Sequence, residues 1–156
     1  MSDYVRKLRA KIGHDLLFSP AVACLIRDDD DRMLLVRQAG DATWSLPAGA
    51  IDPGETPADA VRREVREEAS VDVELLRLAG VFGGGPSFRR YYANGDEVAW
   101  VTITFEARIV AGVPAPDDEE IAEVRWASVA ELENLDLLPS TRHILACVDA
   151  GRGFDP

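Results

Sequence analysis

The chain has 156 residues, 47% of them apolar, which is enough for one domain with a buried core. Its 17 Lys and Arg stand against 28 Asp and Glu, a formal charge of −11, and that balance argues against the basic face needed to track a nucleic-acid backbone. It also sets a condition on any phosphate pocket: cations, either local arginines or metal ions, must intervene.

From the N-terminus, Val5, Leu8 and Ile12 are spaced for one face of a short helix, Tyr4 to Ile12, stopped by Gly13. This segment carries Arg and Lys but no long apolar run, so it does not read as a signal peptide. No stretch of the chain reads as a bilayer span, and a cytoplasmic protein is expected. Pro20 opens a β-like run, Ala21 to Arg27, and Met33 to Gln38 returns as a second strand. The four aspartates between them, Asp28 to Asp31, lack the glycine and distal glutamate of a calcium loop and read as a solvated turn. Cys24 and Cys147 lie far apart without metal-ligand spacing and read as buried, reduced thiols.

Residues 45–56, rich in Pro, Gly and Ala, form a structured loop. Thr56 then caps a helix whose first position is Pro57, and Val61, Val65 and Ala69 give it a buried stripe over residues 57–69. Val71 to Val81 reads as a strand and Gly83 to Pro86 as a loop. Phe88 to Ala93 and Asp96 to Val110 flank Asn94-Gly95, a strong hairpin signal. In the second arm Val101, Ile103, Phe105, Ala107 and Ile109 share one face, and Thr102, Thr104, Glu106 and Arg108 the other. Pro114 to Glu120 is an acidic loop, Ile121 to Trp126 a short strand, Ser128 a cap on a short helix, and Pro139 to Val148 a closing helix. Helices alternating with antiparallel hairpins imply a mixed sheet flanked by helices.

The chemistry concentrates on the helix at 57–69. Glu64, Glu67 and Glu68 sit at i, i+3 and i+4, which puts three carboxylates on one patch. Like charges at this spacing cost a helix roughly 0.2–0.5 kcal/mol per pair, softened here by Arg62, Arg63 and Arg66. Such a patch is commonly a solvated, salt-bridged face. It is also one way to supply oxygen ligands to magnesium or manganese.

The residues upstream decide between these readings. Gly49 to Val71 resembles the Nudix box, Gly-x5-Glu-x7-Arg-Glu-U-x-Glu-Glu-x-Gly-U with U aliphatic: Gly49, Glu55, Arg63, Glu64, Val65, Glu67, Glu68 and Val71 match. Ser70 departs, standing where the pattern has glycine, and Ala48 and Ala50 flank Gly49 where many relatives have further glycines. The resemblance covers about residues 18–150 of a single domain spanning 1–156, and residues 1–17 form a helical extension outside the common core.

The resemblance implies an α/β/α sandwich around a central mixed sheet, and hydrolysis of a nucleoside diphosphate linked to another moiety with Mg2+ or Mn2+. It makes Glu67, Glu68 and the Gly49 carbonyl metal ligands, and Glu64 a ligand or the base that deprotonates water. Arg63 pairs with Glu55 and fixes the helix to the loop. A further acid comes from the loop before Trp126, Glu120 first and Glu119 second. His14 and His143 lie outside the motif and read as structural. Ser70 is expected to end the helix in a left-handed conformation at a cost on the order of 1 kcal/mol.

Phe82 to Tyr92 lacks the Lys-Ser/Thr ending of a nucleotide P-loop. It is either a mobile loop with core aromatics, or a substrate loop where Phe88, Tyr91 or Tyr92 stacks on a base and Arg89 or Arg90 meets phosphate. Trp44 lines the same pocket or packs in the core; Trp100 and Trp126 read as core. The expected partner is a small nucleoside diphosphate derivative, a nucleotide sugar such as ADP-ribose or a (d)NTP, with neither a nucleic-acid polymer nor a membrane. The resemblance allows a homodimer. Rival readings are a catalytically silent nucleotide-binding module and an isomerase of isoprenoid diphosphates. The first gives no reason to crowd three glutamates together, and the second requires a Cys motif that neither cysteine matches.

Overall fold

A computed structural model describes residues 3–117 and 120–155. Its spine is β1 (Leu17–Ile26). Along it Val22, Cys24 and Ile26 point into one apolar cluster and Ala23 and Leu25 into another, so the strand is buried on both faces. β1 pairs in parallel with β6 (Glu97–Ala111) and antiparallel with β3 (Ala48–Ala50). β4 (Asp72–Gly83) and β5 (Arg89–Tyr91) pair antiparallel with β6 and complete a five-stranded mixed sheet in the order β3-β1-β6-β4. β2 (Met33–Gln38) and β7 (Ile121–Ala127) form a separate two-stranded antiparallel sheet.

Helix α2 (Pro57–Ala69) covers one face of the large sheet, burying Ala60, Val61, Val65 and Ala69 against Val22, Cys24 and Ile26. Helix α4 (Pro139–Asp149) covers the other, with Ile144, Leu145 and Cys147 against Ala23, Leu25 and Phe82. This is the expected α/β/α sandwich. Between them α3 (Val129–Asn134) begins with a capping box in which the Ser128 and Glu131 side chains satisfy each other's backbone N–H groups. The N-terminal helix, α1 (Asp3–Ile12), is tied to the hairpin: the Arg9 guanidinium donates to Glu97 O at 2.8 Å and pairs with Asp96. No helix among the described residues is long and apolar enough to cross a membrane.

Three differences from the sequence reading have physical reasons, the first being that Ala48–Ala50, read as part of a loop, forms strand β3 by pairing with Ala21–Ala23. β1 begins at Leu17 and runs through Pro20, which sits one residue outside the β3 register, where a missing N–H costs least. Phe88 is not in a strand; it ends a one-turn 3-10 helix, Pro86–Phe88, and is buried with its ring edge-on to His143 at 5.4 Å. The hairpin turns at Asn94-Gly95 as expected, with Gly95 at φ 91, but the Tyr92 N–H bonds to Asp96 O, so Ala93 joins the turn and β5 ends at Tyr91.

Candidate active site

The start of α2 follows from local chemistry. Thr56 Oγ1 accepts the Asp59 N–H at 3.2 Å, and Pro57 needs no N–H partner at the first position. At the other end Ser70 adopts φ 58, ψ 29, the left-handed cap that the missing glycine would have supplied. The helix is thereby fixed so that Glu64, Glu67 and Glu68 face β3. Fit there is tight: a Cβ on Gly49 would lie 2.1–2.4 Å from the Glu64 carboxylate atoms, so only glycine leaves room for that side chain.

Arg63 organises the cluster. It grips Glu55 with two bonds, Nε to Oε1 at 2.7 Å and Nη2 to Oε2 at 2.9 Å, and donates to Ala50 O at 3.1 Å. Glu55 in turn accepts the Asp52 N–H. Arg63 Nη1 also reaches Glu64 Oε1 at 2.7 Å and Glu67 Oε2 at 3.1 Å. The guanidinium therefore joins the loop to the helix and partly neutralises two of the three glutamates. Glu68 accepts the Ala48 N–H at 2.9 Å.

Burial and like charge act together on the carboxyls of this cluster. Burial pushes the Glu68 carboxyl up to about 8, and the neighbouring charges of Glu64, Glu120 and Asp117 add to the shift. Burial also raises Glu64, whose side chain is 14% exposed, against the pull of Arg63. Glu67 is 58% exposed and stands at the cleft mouth. Crowding carboxylates in a partly desolvated site is unfavourable unless a cation accompanies them, and an all-oxygen donor set suits a hard divalent ion. Glu120 lines this cleft as expected. Asp117 also lines it, was not foreseen, and accepts the N–H groups of Glu120 and Ile121. Glu119 lies outside the described residues.

The glutamates occupy one end of a cleft of about 1150 Å3 floored by β1 and β6. At the far end Arg89, Arg90, Tyr91 and Tyr92 of the hairpin meet Val5 and Arg9 of α1. Tyr91 is 69% exposed and lies under the Arg89 guanidinium, while Arg90 lies over Tyr92. Both arginines are already paired, Arg89 with Glu97 and Arg90 with Asp41 at 2.6 Å. Burial opposes the charge on Asp41, but the N–H and hydroxyl of Thr43, with Arg90, outweigh it and hold the carboxyl down at about 2.

Three aromatic assignments change. Phe88 borders the cleft but is 1% exposed, which leaves no ring face for a base. Trp44 packs in the core beside Leu46 and Leu137, bracketed by the Arg37 and Arg125 guanidinium groups, and does not line the cleft. Trp100 does line it, directly opposite Ser19 in the β1–β6 register. The signal was the alternation along β6, which puts Trp100 on the face of Thr102.

Comparison with known proteins agrees with this fold. A family model described as NUDIX domain matches residues 17–147. An uncharacterised Nudix hydrolase of Bacillus subtilis is 31% identical over 133 residues, covering 84% of this chain and 79% of the relative. A nucleoside triphosphatase, NudI, of Escherichia coli is 28% identical over 131 residues, covering 80% and 92%. Among solved structures, a Nudix hydrolase from Nitrosomonas europaea superimposes with a TM-score of 0.69 at 25% identity, covering 88% of this chain and 93% of that one.

Proposed function

Because the chain belongs to the Nudix family and is a hydrolase of phosphoric anhydrides, we propose that it cleaves the diphosphate linkage of a small nucleoside diphosphate derivative, with Glu64, Glu67, Glu68 and the Gly49 carbonyl holding Mg2+ or Mn2+. The observation that carries this reading is the crowding of Glu64, Glu67, Glu68, Glu120 and Asp117 at one end of the cleft, with its exposed tyrosines and Trp100 toward the other. When bound, the ion supplies charge neutralisation of the phosphate oxygens and a lowered pKa for water.

The side chains divide the remaining work. Arg63 holds Glu55, Glu64 and Glu67 so that the helix and the loop present their oxygens together. Glu64, whose carboxyl is raised by burial, is the ligand that can instead act as the base and take the proton from the attacking water. Tyr91, Tyr92 and Trp100 offer ring faces to a base, and Arg90 offers a cation to phosphate once Asp41 releases it. The reading places the protein in the cytoplasm, with its nucleotide substrates.

Nucleoside triphosphates and nucleotide sugars such as ADP-ribose are the leading substrates. The E. coli relative, named a nucleoside triphosphatase, supports starting with triphosphates. The test is a panel of both classes with magnesium and with manganese, products resolved by chromatography. A nucleoside monophosphate released from one class supports the proposal. Binding without turnover of any member favours a silent nucleotide-binding module instead.

A further inference from the structure

On the α4 side of the sheet three chemically different donors converge. His143 and Cys147 are one turn apart on α4. Asp155 arrives from the C-terminal tail, which is pinned to β4 by the Val81 N–H bond to Gly153 O at 2.8 Å and by the Val81–Phe154 bridge. Nε2 of His143 lies 3.6 Å from Cys147 Sγ and 2.5 Å from Asp155 Oδ1, and all three donor atoms lie within 4.8 Å of one another. The sequence alone reads His143 and Cys147 as structural, because the third donor comes from a tail whose position only the fold fixes.

We propose that His143, Cys147 and Asp155 form a second metal site, selective for zinc and distinct from the oxygen-lined cleft. Ligand type is the first reason: thiolate, imidazole and carboxylate together suit zinc and not magnesium. Geometry is the second. Zinc bonds of about 2.3 Å to sulfur and about 2.05 Å to nitrogen, at a tetrahedral angle, separate the two donors by about 3.6 Å, which is the separation found. The same arithmetic asks for about 3.3 Å between nitrogen and oxygen. The ion would thus sit between His143 and Asp155, and the carboxylate would withdraw by roughly 0.8 Å.

Support around the donors is the third reason. The other carboxylate oxygen, Asp155 Oδ2, accepts the Gly83 N–H at 2.8 Å, which orients Oδ1 toward the ion. The imidazole is held edge-on by Phe82 and Phe88. Access exists as well, since the His143 and Asp155 side chains are 34% and 33% exposed, and a solvent water would complete the four ligands. Occupancy would tie α4 and the tail to Gly83, at the root of the glycine loop that leads to the cleft.

The test uses the full chain stripped with chelator, held in excess magnesium and titrated with cobalt as a zinc probe. The expected result is one equivalent giving the near-ultraviolet thiolate-to-cobalt absorption and the visible bands of tetrahedral cobalt. Cys147→Ser abolishes both, Glu67→Gln retains both, and Asp155→Asn weakens zinc competition by about tenfold or more. Absence of the thiolate band, or its survival in Cys147→Ser, overturns the proposal. Should Cys147→Ser fail to fold, alkylation of the wild-type protein decides: zinc at one equivalent slows modification of Cys147, located by mass spectrometry, by about tenfold or more. An unchanged rate overturns the proposal. Cys24 does not interfere, because burial pushes its thiol up to about 12.

Discussion

Gly49→Ala isolates the contact between the box loop and the glutamate helix. Gly49 is not in a left-handed conformation, so the backbone tolerates alanine. The new methyl, however, would meet Glu64 Cδ at 2.1 Å and its two oxygens at 2.2 and 2.4 Å. Ordinary contact needs at least 3.4 Å, so the carboxylate must retreat by about 3.4 − 2.1 = 1.3 Å. Misplacing a reacting group by about 1 Å costs on the order of 100-fold in rate, or about 2.7 kcal/mol of barrier. Because Glu64 lines an open cleft and can swing outward, the melting temperature should fall by only a few degrees, as for mild overpacking. The assay is kcat at saturating substrate and magnesium beside a thermal melt, repeated in a Glu64→Ala background. There the clash is gone, and Gly49→Ala should cost less than about threefold further. Wild-type activity in Gly49→Ala, or the same loss in both backgrounds, refutes the reasoning.

Ser70→Gly should stabilise the protein by about 0.5–1 kcal/mol in urea unfolding, relief of the left-handed serine outweighing glycine's extra unfolded-state entropy, with kcat unchanged. Arg90→Ala should raise KM about ten- to hundredfold, the worth of one charged hydrogen bond, with kcat nearly constant; a lowered melting temperature with unchanged KM would make the Asp41 pair purely structural. In chelator, stability should decline as pH rises from about 4.5 toward about 8. The folded state retains the Glu68 proton that the unfolded state has lost, and added magnesium should flatten the decline. Denaturant melts at several pH values read this directly, and a rise in stability over that range would contradict the assignment.

Local chemistry was legible from the residues and the sandwich from the resemblance of the box, whereas the strand pairing was not. Helix α2 begins after Thr56 and ends at Ala69 as the cap, the proline and the Val61-Val65-Ala69 stripe indicate, and even the left-handed Ser70 follows from the motif. The Glu55–Arg63 pair forms as expected and the Arg63–Glu67 contact follows from helical spacing, but the bond from Arg63 to Ala50 O depends on how β3 is held against β1. The separation of β2 and β7 into their own sheet rests on pairing between residues 33–38 and 121–127, which no local pattern records. The aromatic errors share one cause. The sequence leaves Trp44, just before the box, between pocket and core and reads Trp100 as core, whereas strand register decides which face each occupies. Phe88 was read with the strand beside it, and the Gly-Pro turn tucked it under α4 instead.

The central claim is that the glutamates of α2 bind the ion that makes diphosphate hydrolysis possible. The most direct measurement is manganese affinity, followed by electron paramagnetic resonance, alongside 31P-monitored turnover for wild type, Glu67→Gln and Glu68→Gln under the same conditions. The account predicts tight manganese binding and turnover in the wild type, with affinity weakened in both variants and turnover lost in parallel. Unchanged binding and turnover in Glu68→Gln would contradict it.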